Sequence, residues 1–109
     1  MNAPVPPKRL YRFGLFEADA ESGKLLREGV RIKLQDQPFR VLCLLLEHAG
    51  QVVTREQLRQ SLWSEHTYVE FDGSLNAALK RLRFALGDSA ENPIFIETLP
   101  KRGYCSWLP

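Results

Sequence analysis

Apolar positions along the chain change their period twice. From Leu10 to Ile32 they come in short runs punctuated by turn residues. Tyr11-Arg12-Phe13, Leu15-Phe16-Glu17-Ala18, Lys24-Leu25-Leu26-Arg27 and Val30-Arg31-Ile32 are separated by Gly14, by Ser22-Gly23 and by Glu28-Gly29. Turns about every seven residues predict a small antiparallel sheet of four short strands.

From Gln35 the period becomes helical. Phe39, Leu42, Cys43, Leu46 and Ala49 form one apolar face, which Leu44 and Leu45 widen. Gln35 or Asp36 can cap this helix, Pro38 falls in its first turn, and Gly50 ends it. A short extended piece comes next at Val52-Val53. Thr54-Arg55-Glu56-Gln57 then fits a capping box and opens a second helix, with Leu58 and Leu62 inward and Trp63 near its end. Residues 64–72, rich in acids and aromatics, are predicted to be a loop.

The third helical stretch runs from Ser74 to Leu86. Leu75, Leu79, Leu82 and Leu86 fall within one narrow stripe at about 100° per residue. Asn76, Ala77, Lys80, Arg81 and Arg83 point away from it. The stretch holds three cations and no acid. A solvated helix face usually mixes charge signs, and this one does not. A leucine back with a short, basic front suits the DNA major groove. Phe84 also lies opposite the stripe, so it either packs on the C-terminal hairpin or is an exposed apolar residue. Gly87 ends the helix. After Pro93 the period returns to two: Ile94 to Leu99 is a strand, Pro100-Lys101-Arg102-Gly103 a turn, and Tyr104 to Leu108 a returning strand. Phe39, Leu42, Leu46, Leu58, Leu62, Leu75, Leu79 and Leu82 are expected to share one core.

Composition changes this picture little. The 109 residues suffice for one domain over 10–109, after a proline-rich, flexible lead-in over 1–9. Net charge is only +2, but its distribution is uneven. Residues 73–109 carry five Lys/Arg against three Asp/Glu, and residues 33–72 carry four against six. A basic end and an acidic middle fit DNA on one side and another partner on the other. No apolar run approaches the roughly 18 residues of a membrane span, and no signal-peptide pattern is present. Cys43 and Cys105 form no Cys-x-x-Cys, and neither His48 nor His66 has a partner at ligand spacing, so no metal or cofactor is expected. Cys43 and His48 lie about 140° apart around one helix and cannot form a nucleophile–base pair, so an enzyme is not expected.

The order of four strands, helix, short strand, two helices and hairpin resembles the OmpR/PhoB-type winged-helix DNA-binding domain, an α+β fold. Phe39, the run Val53 to Leu58, Ser74 to Leu86 and the run Ile96 to Tyr104 carry the resemblance. The Pro-x-Arg-Gly-Tyr wing at 100–104 looks most like the CadC/ToxR-like branch of bacterial transcriptional regulators. The resemblance implies sequence-specific binding of double-stranded DNA. The third helix would enter the major groove through Asn76, Ala77, Lys80, Arg81 and Arg83. The wing would reach the minor groove through Thr98, Lys101 and Arg102, and Arg55 could meet a phosphate at a helix N-terminus. Residues 64–72 would face RNA polymerase, and copies could associate on tandem sites. The domain would come first in its chain, with no receiver before it. It would be cytoplasmic, on its own or as the cytoplasmic part of a membrane-anchored regulator, and make no membrane contact itself. The alternative is a winged helix used only for protein–protein contact.

Overall fold

The computed structural model describes residues 10–65 and 68–106. The expected lead-in over 1–9, His66, and Trp107 and Leu108 of the returning strand lie outside the described residues. Four strands, β1 (Leu10–Phe13), β2 (Phe16–Asp19), β3 (Lys24–Arg27) and β4 (Val30–Ile32), form an antiparallel sheet in chain order. Period-two alternation puts Phe16, Ala18 and Leu25 on the buried side. The Phe13 and Phe16 rings stack at 5.4 Å, and each meets the Phe95 ring edge-on at 5.6 Å. Gly14, at φ +54°, permits this approach, because a Cβ there would lie 3.2 Å from the Phe95 ring. Three aromatic rings thus join the sheet to the segment that leads into the wing.

Helix α1 spans Asp36–Glu47. Gln35 is its N-cap by backbone conformation but makes no side-chain cap bond, and Asp36 pairs with Arg40 instead. Phe39, Leu42 and Leu46 are buried as expected, and Val41 and Leu45 join them. Ala49 does not: the helix stops at Glu47, and Ala49 is exposed. The chain turns at Gly50, φ +80°, whose N–H donates to the Ser106 carbonyl at 3.1 Å. That bond and the one from Ser106 Oγ to the Leu45 carbonyl, 3.0 Å, fasten the end of α1 to the wing.

Strand β5 (Val52–Val53) leads to α2 (Arg55–Leu62), whose capping box forms as expected. Thr54 Oγ1 accepts from the Gln57 N–H at 3.0 Å, and Gln57 Oε1 accepts from the Thr54 N–H at 2.8 Å.

The predicted loop over 64–72 is corrected. Helix α3 spans Tyr68–Leu86, so about its first turn and a half lies in that stretch. Phe71 sits four residues before Leu75 and prolongs the leucine stripe, and Phe71, Leu75, Ala78, Leu79, Leu82 and Leu86 are all buried. The Phe71 ring meets Trp63 edge-on at 5.4 Å. Trp63 Nε1 donates to Ser74 Oγ at 2.8 Å. Arg55 donates to Asp72 Oδ1 at 2.5 Å while its guanidinium lies over the Phe71 ring. A helix-interior glycine such as Gly73 costs about 1 kcal/mol. Burying Phe71 is worth roughly 1.5–3 kcal/mol and outweighs it.

Strands β6 (Ile96–Leu99) and β7 (Gly103–Ser106) form the wing hairpin, and β5 joins it in a second sheet of order β5-β7-β6. The first wing strand starts two residues later than predicted. The N–H groups of Ile94, Phe95 and Ile96 all donate to the Asp88 carboxylate, at 2.7, 3.2 and 2.9 Å. The chain is wrapped around that carboxylate before it can pair as a strand. Of the eight residues expected in one core, seven are buried together and Leu62 is half-buried against them.

Candidate nucleic-acid interface

Helix α3 stands out from the domain as a ridge. Its buried stripe packs into the core against α1, and its opposite side carries Asn76, Ala77, Lys80, Arg81 and Phe84, all exposed. A groove runs along each flank. The wing-side groove is lined by Asn76, Lys80, Arg83, Phe84, Thr98 and Tyr104, among others. The groove on the other flank lies against the β4–α1 linker and is lined by Lys33, Gln35, Ala77, Lys80, Arg81 and Phe84 with their neighbours. Lys80 and Phe84 border both grooves and so form the crest of the ridge. A ridge of helical width with a shelf on each side has the shape needed to enter a major groove while a phosphate strand passes along each shelf.

The cations expected to act together are not equivalent. Lys80 and Arg81 are exposed, but Arg81 Nη1 donates to Gln35 Oε1 at 2.5 Å. The side chain that α1 does not use for capping therefore holds Arg81 against the linker. Arg83 differs from the expectation. It is half-buried, and its Nη2 donates to the Ile96 carbonyl at 3.2 Å and to Thr98 Oγ1 at 2.8 Å. Its Nε is buried with no partner among the described residues. Arg83 and Thr98, expected to face DNA separately, are bonded to each other across the helix–wing junction.

Arg55 is also engaged internally. Besides Asp72 and the Phe71 ring, it donates to the Tyr104 hydroxyl at 3.1 Å. Tyr104 itself is buried on β7, so Arg55 ties the start of α2 to α3 and to the wing at once. At the wing tip the Arg102 N–H donates to the Leu99 carbonyl at 3.0 Å, with Pro100 and Lys101 between them. Pro at the second position and Lys101 at φ +65° in the third follow the type II pattern. Lys101 and Arg102 are exposed there. Gly103 is fixed by more than its φ of +144°, since a Cβ would come within 2.1 Å of the Val53 carbonyl oxygen. Close packing of β7 on β5 sets the angle at which the tip projects.

Asp88 anchors the other end of the wing. Burial raises its pKa, but four backbone N–H donors, from Ser89, Ile94, Phe95 and Ile96, outweigh that and hold it below the usual carboxylate value. Three residues that shape the interface were not singled out as site residues from the sequence. Gln35 was legible only as a possible helix cap, and Lys33 only as a linker residue. Asp88 directly after Gly87 was the one with a local signal, an acid placed to accept from free amides beyond a helix end.

The fold and this face define a winged-helix DNA-binding domain of the OmpR/PhoB type. The family model for the C-terminal domain of transcriptional regulatory proteins matches residues 29–106, and the chain belongs to that family. It is 37% identical over 87 residues to a cholera toxin homolog transcriptional activator of Vibrio parahaemolyticus, covering 80% of this chain and 28% of that protein. It is 26% identical over 99 residues to the transcriptional activator CadC of Escherichia coli, covering 90% of this chain and 19% of CadC. The crystal structure of the Klebsiella pneumoniae RstA DNA-binding domain in complex with the RstA box superposes with a TM-score of 0.78. Identity there is 32%, with 90% of this chain and 96% of that one covered. The chain thus spans under a third of the length of these two curated relatives. The family is a regulator domain rather than a class of enzyme.

Proposed function

We propose that this domain binds double-stranded DNA sequence-specifically within a bacterial transcriptional regulator, with α3 in the major groove and the wing tip at the adjacent minor groove. The observation that carries it is the ridge: Lys80 and Arg81 exposed beside Asn76 and Ala77, flanked by two grooves, with Lys101 and Arg102 projecting at the wing tip. Small Ala77 lets the backbone approach the bases, Arg81 reads a base edge, and Lys80 and Lys101 neutralise phosphates. Arg102 enters the narrow, electronegative minor groove. Arg83, Thr98 and Arg55 act through position: Arg83 and Thr98 fix the wing against α3, and Arg55 fixes α2 against both.

The acidic face at Glu65 and Glu70, now on the approach to α3 and its first turn, is the candidate surface for RNA polymerase. The likeness to CadC supports a cytoplasmic domain of a membrane-anchored regulator; no described helix is long and apolar enough to cross a membrane. Association of copies on tandem sites belongs to the same proposal. The test is fluorescence anisotropy of the purified domain against duplexes selected from a random pool, at several salt concentrations. Sequence-specific binding requires enrichment of a motif and a log–log salt slope of roughly −0.9 per neutralised phosphate. A domain that enriches no motif and shows no salt dependence would be an interaction module.

A further inference from the structure

We infer that Phe84 is a base-reading residue that recognises the C5 methyl group of thymine in the major groove, and that it gives this domain part of its sequence preference. The inference rests on the DNA-binding mode proposed above. Phe84 is 89% exposed, the most exposed of the large apolar side chains among the described residues. It is not on a stray edge of the fold. It lies on the crest of α3, bordering both grooves, one turn beyond Lys80 and about 40° around the helix from it. Ala77, two turns earlier, lies within about 20° of the same line. The crest therefore reads apolar, cationic, apolar along its length.

On a polyanionic partner, an aromatic ring exposed on a basic ridge gains most from an apolar counterpart. Phosphates and most base edges offer none. The thymine methyl is the one apolar group that a base pair presents in the major groove, and phenylalanine is among the side chains that contact it. Lys80 and Arg81 beside the ring supply the attraction that brings the helix down, and the ring then discriminates at one step.

The domain is first used to select duplexes from a random pool. In the enriched duplex each thymine is replaced in turn by deoxyuridine, which lacks only the methyl. Dissociation constants are measured for the wild type, Phe84→Ala and Phe84→Lys, with thermal melts showing that each variant stays folded. At one position deoxyuridine should weaken the wild type about three- to fivefold, the factor that burying one methyl group is worth. Phe84→Ala should bind the thymine duplex correspondingly more weakly and lose nothing further at that position. Phe84→Lys should also be indifferent to the methyl and should steepen the salt slope by about one phosphate. If the wild type enriches a motif but every deoxyuridine duplex weakens wild type and Phe84→Ala alike, the methyl-reading role is overturned while DNA recognition stands. If the wild type enriches no motif, sequence-specific recognition fails and this role with it.

Discussion

Arg83 Nη2 lies 2.8 Å from Thr98 Oγ1, and this contact joins the DNA-facing helix to the wing. The same nitrogen donates to the Ile96 carbonyl, so one side chain sets where β6 begins relative to α3. In the binding mode proposed above, helix and wing engage neighbouring grooves at once, and this brace would fix the angle between them before DNA arrives.

Arg83→Ala should cost about 1–3 kcal/mol in urea melts, the range for losing a charged hydrogen bond to a part-buried acceptor. It should also weaken DNA binding equally on selected and scrambled duplexes. Thr98→Ala should do the same more weakly, because the Ile96 carbonyl remains. An Arg83→Ala domain of unchanged stability whose salt slope falls by about one would return Arg83 to direct DNA contact, as expected from sequence, through a phosphate.

Asp88 gives the wing a pH dependence. Its folded pKa is depressed below the unfolded carboxylate value of about 3.9. The stabilisation is therefore fully present above that value and is lost as pH falls through the lower folded value. Urea midpoints of wild type and Asp88→Asn, compared from pH 7 down to about 2.5, should differ most near neutrality and converge at the acid end. A gap that persists unchanged at the lowest pH would mean that the asparagine disturbs the turn for steric reasons alone.

Leu79→Ala tests the core beneath the ridge. Leu79 is 4% exposed on the stripe that rests against the rest of the domain. Large-to-small changes at such sites cost about 2–5 kcal/mol. A loss under about 1 kcal/mol in denaturant melts would place this side of α3 elsewhere.

Legibility in the sequence depends on how local each signal is. The capping box at Thr54 and Gln57 needs only four consecutive residues, and it formed as expected. The leucine stripe of α3 repeats inside one helix, and it is buried. The start of α3 was missed because Gly73 argues locally for a loop. Phe71, which decides the matter, is buried against groups distant in sequence, among them Trp63 and Arg55. The candidate site divides the same way. That Lys80, Arg81 and Arg83 face away from the leucines was readable from helical angle. That Gln35 holds Arg81 and that the wing holds Arg83 depends on contacts across 46 and 15 residues of chain, which no local pattern encodes.

The acidic surface should separate activation from binding. Glu65→Ala with Glu70→Ala should leave DNA affinity intact and lower transcription from a target promoter in a reconstituted assay with RNA polymerase. Phe71 is not part of that surface, since it is buried in the core. Unchanged transcription would make this stretch a helix approach and nothing more, or the protein a repressor.

Base reading and backbone contact should be separable on the ridge. Arg81 and Lys80 are adjacent in sequence but about 100° apart around α3, so they cannot meet the same part of the groove. Arg81 flanks Ala77, where the helix can approach the bases, and so is assigned the base edge. Arg81→Ala should cost about 1–3 kcal/mol on the selected duplex and relax preference at one position. Lys80→Ala should weaken all duplexes alike and lower the salt slope by about one. Arg102→Ala should weaken binding most where the flanking sequence is A/T-rich. The Gln35 contact adds a sign that distinguishes this assignment. To reach a base, Arg81 must leave Gln35 Oε1, so Gln35→Ala should bind the selected duplex as tightly as the wild type or more tightly, with no gain on a scrambled one. Titrating the four variants against both duplexes at several salt concentrations checks the set. Equal losses on both duplexes for Arg81→Ala would leave it a backbone contact. A Gln35→Ala domain that binds the selected duplex more weakly would show that Gln35 aims Arg81 rather than restrains it.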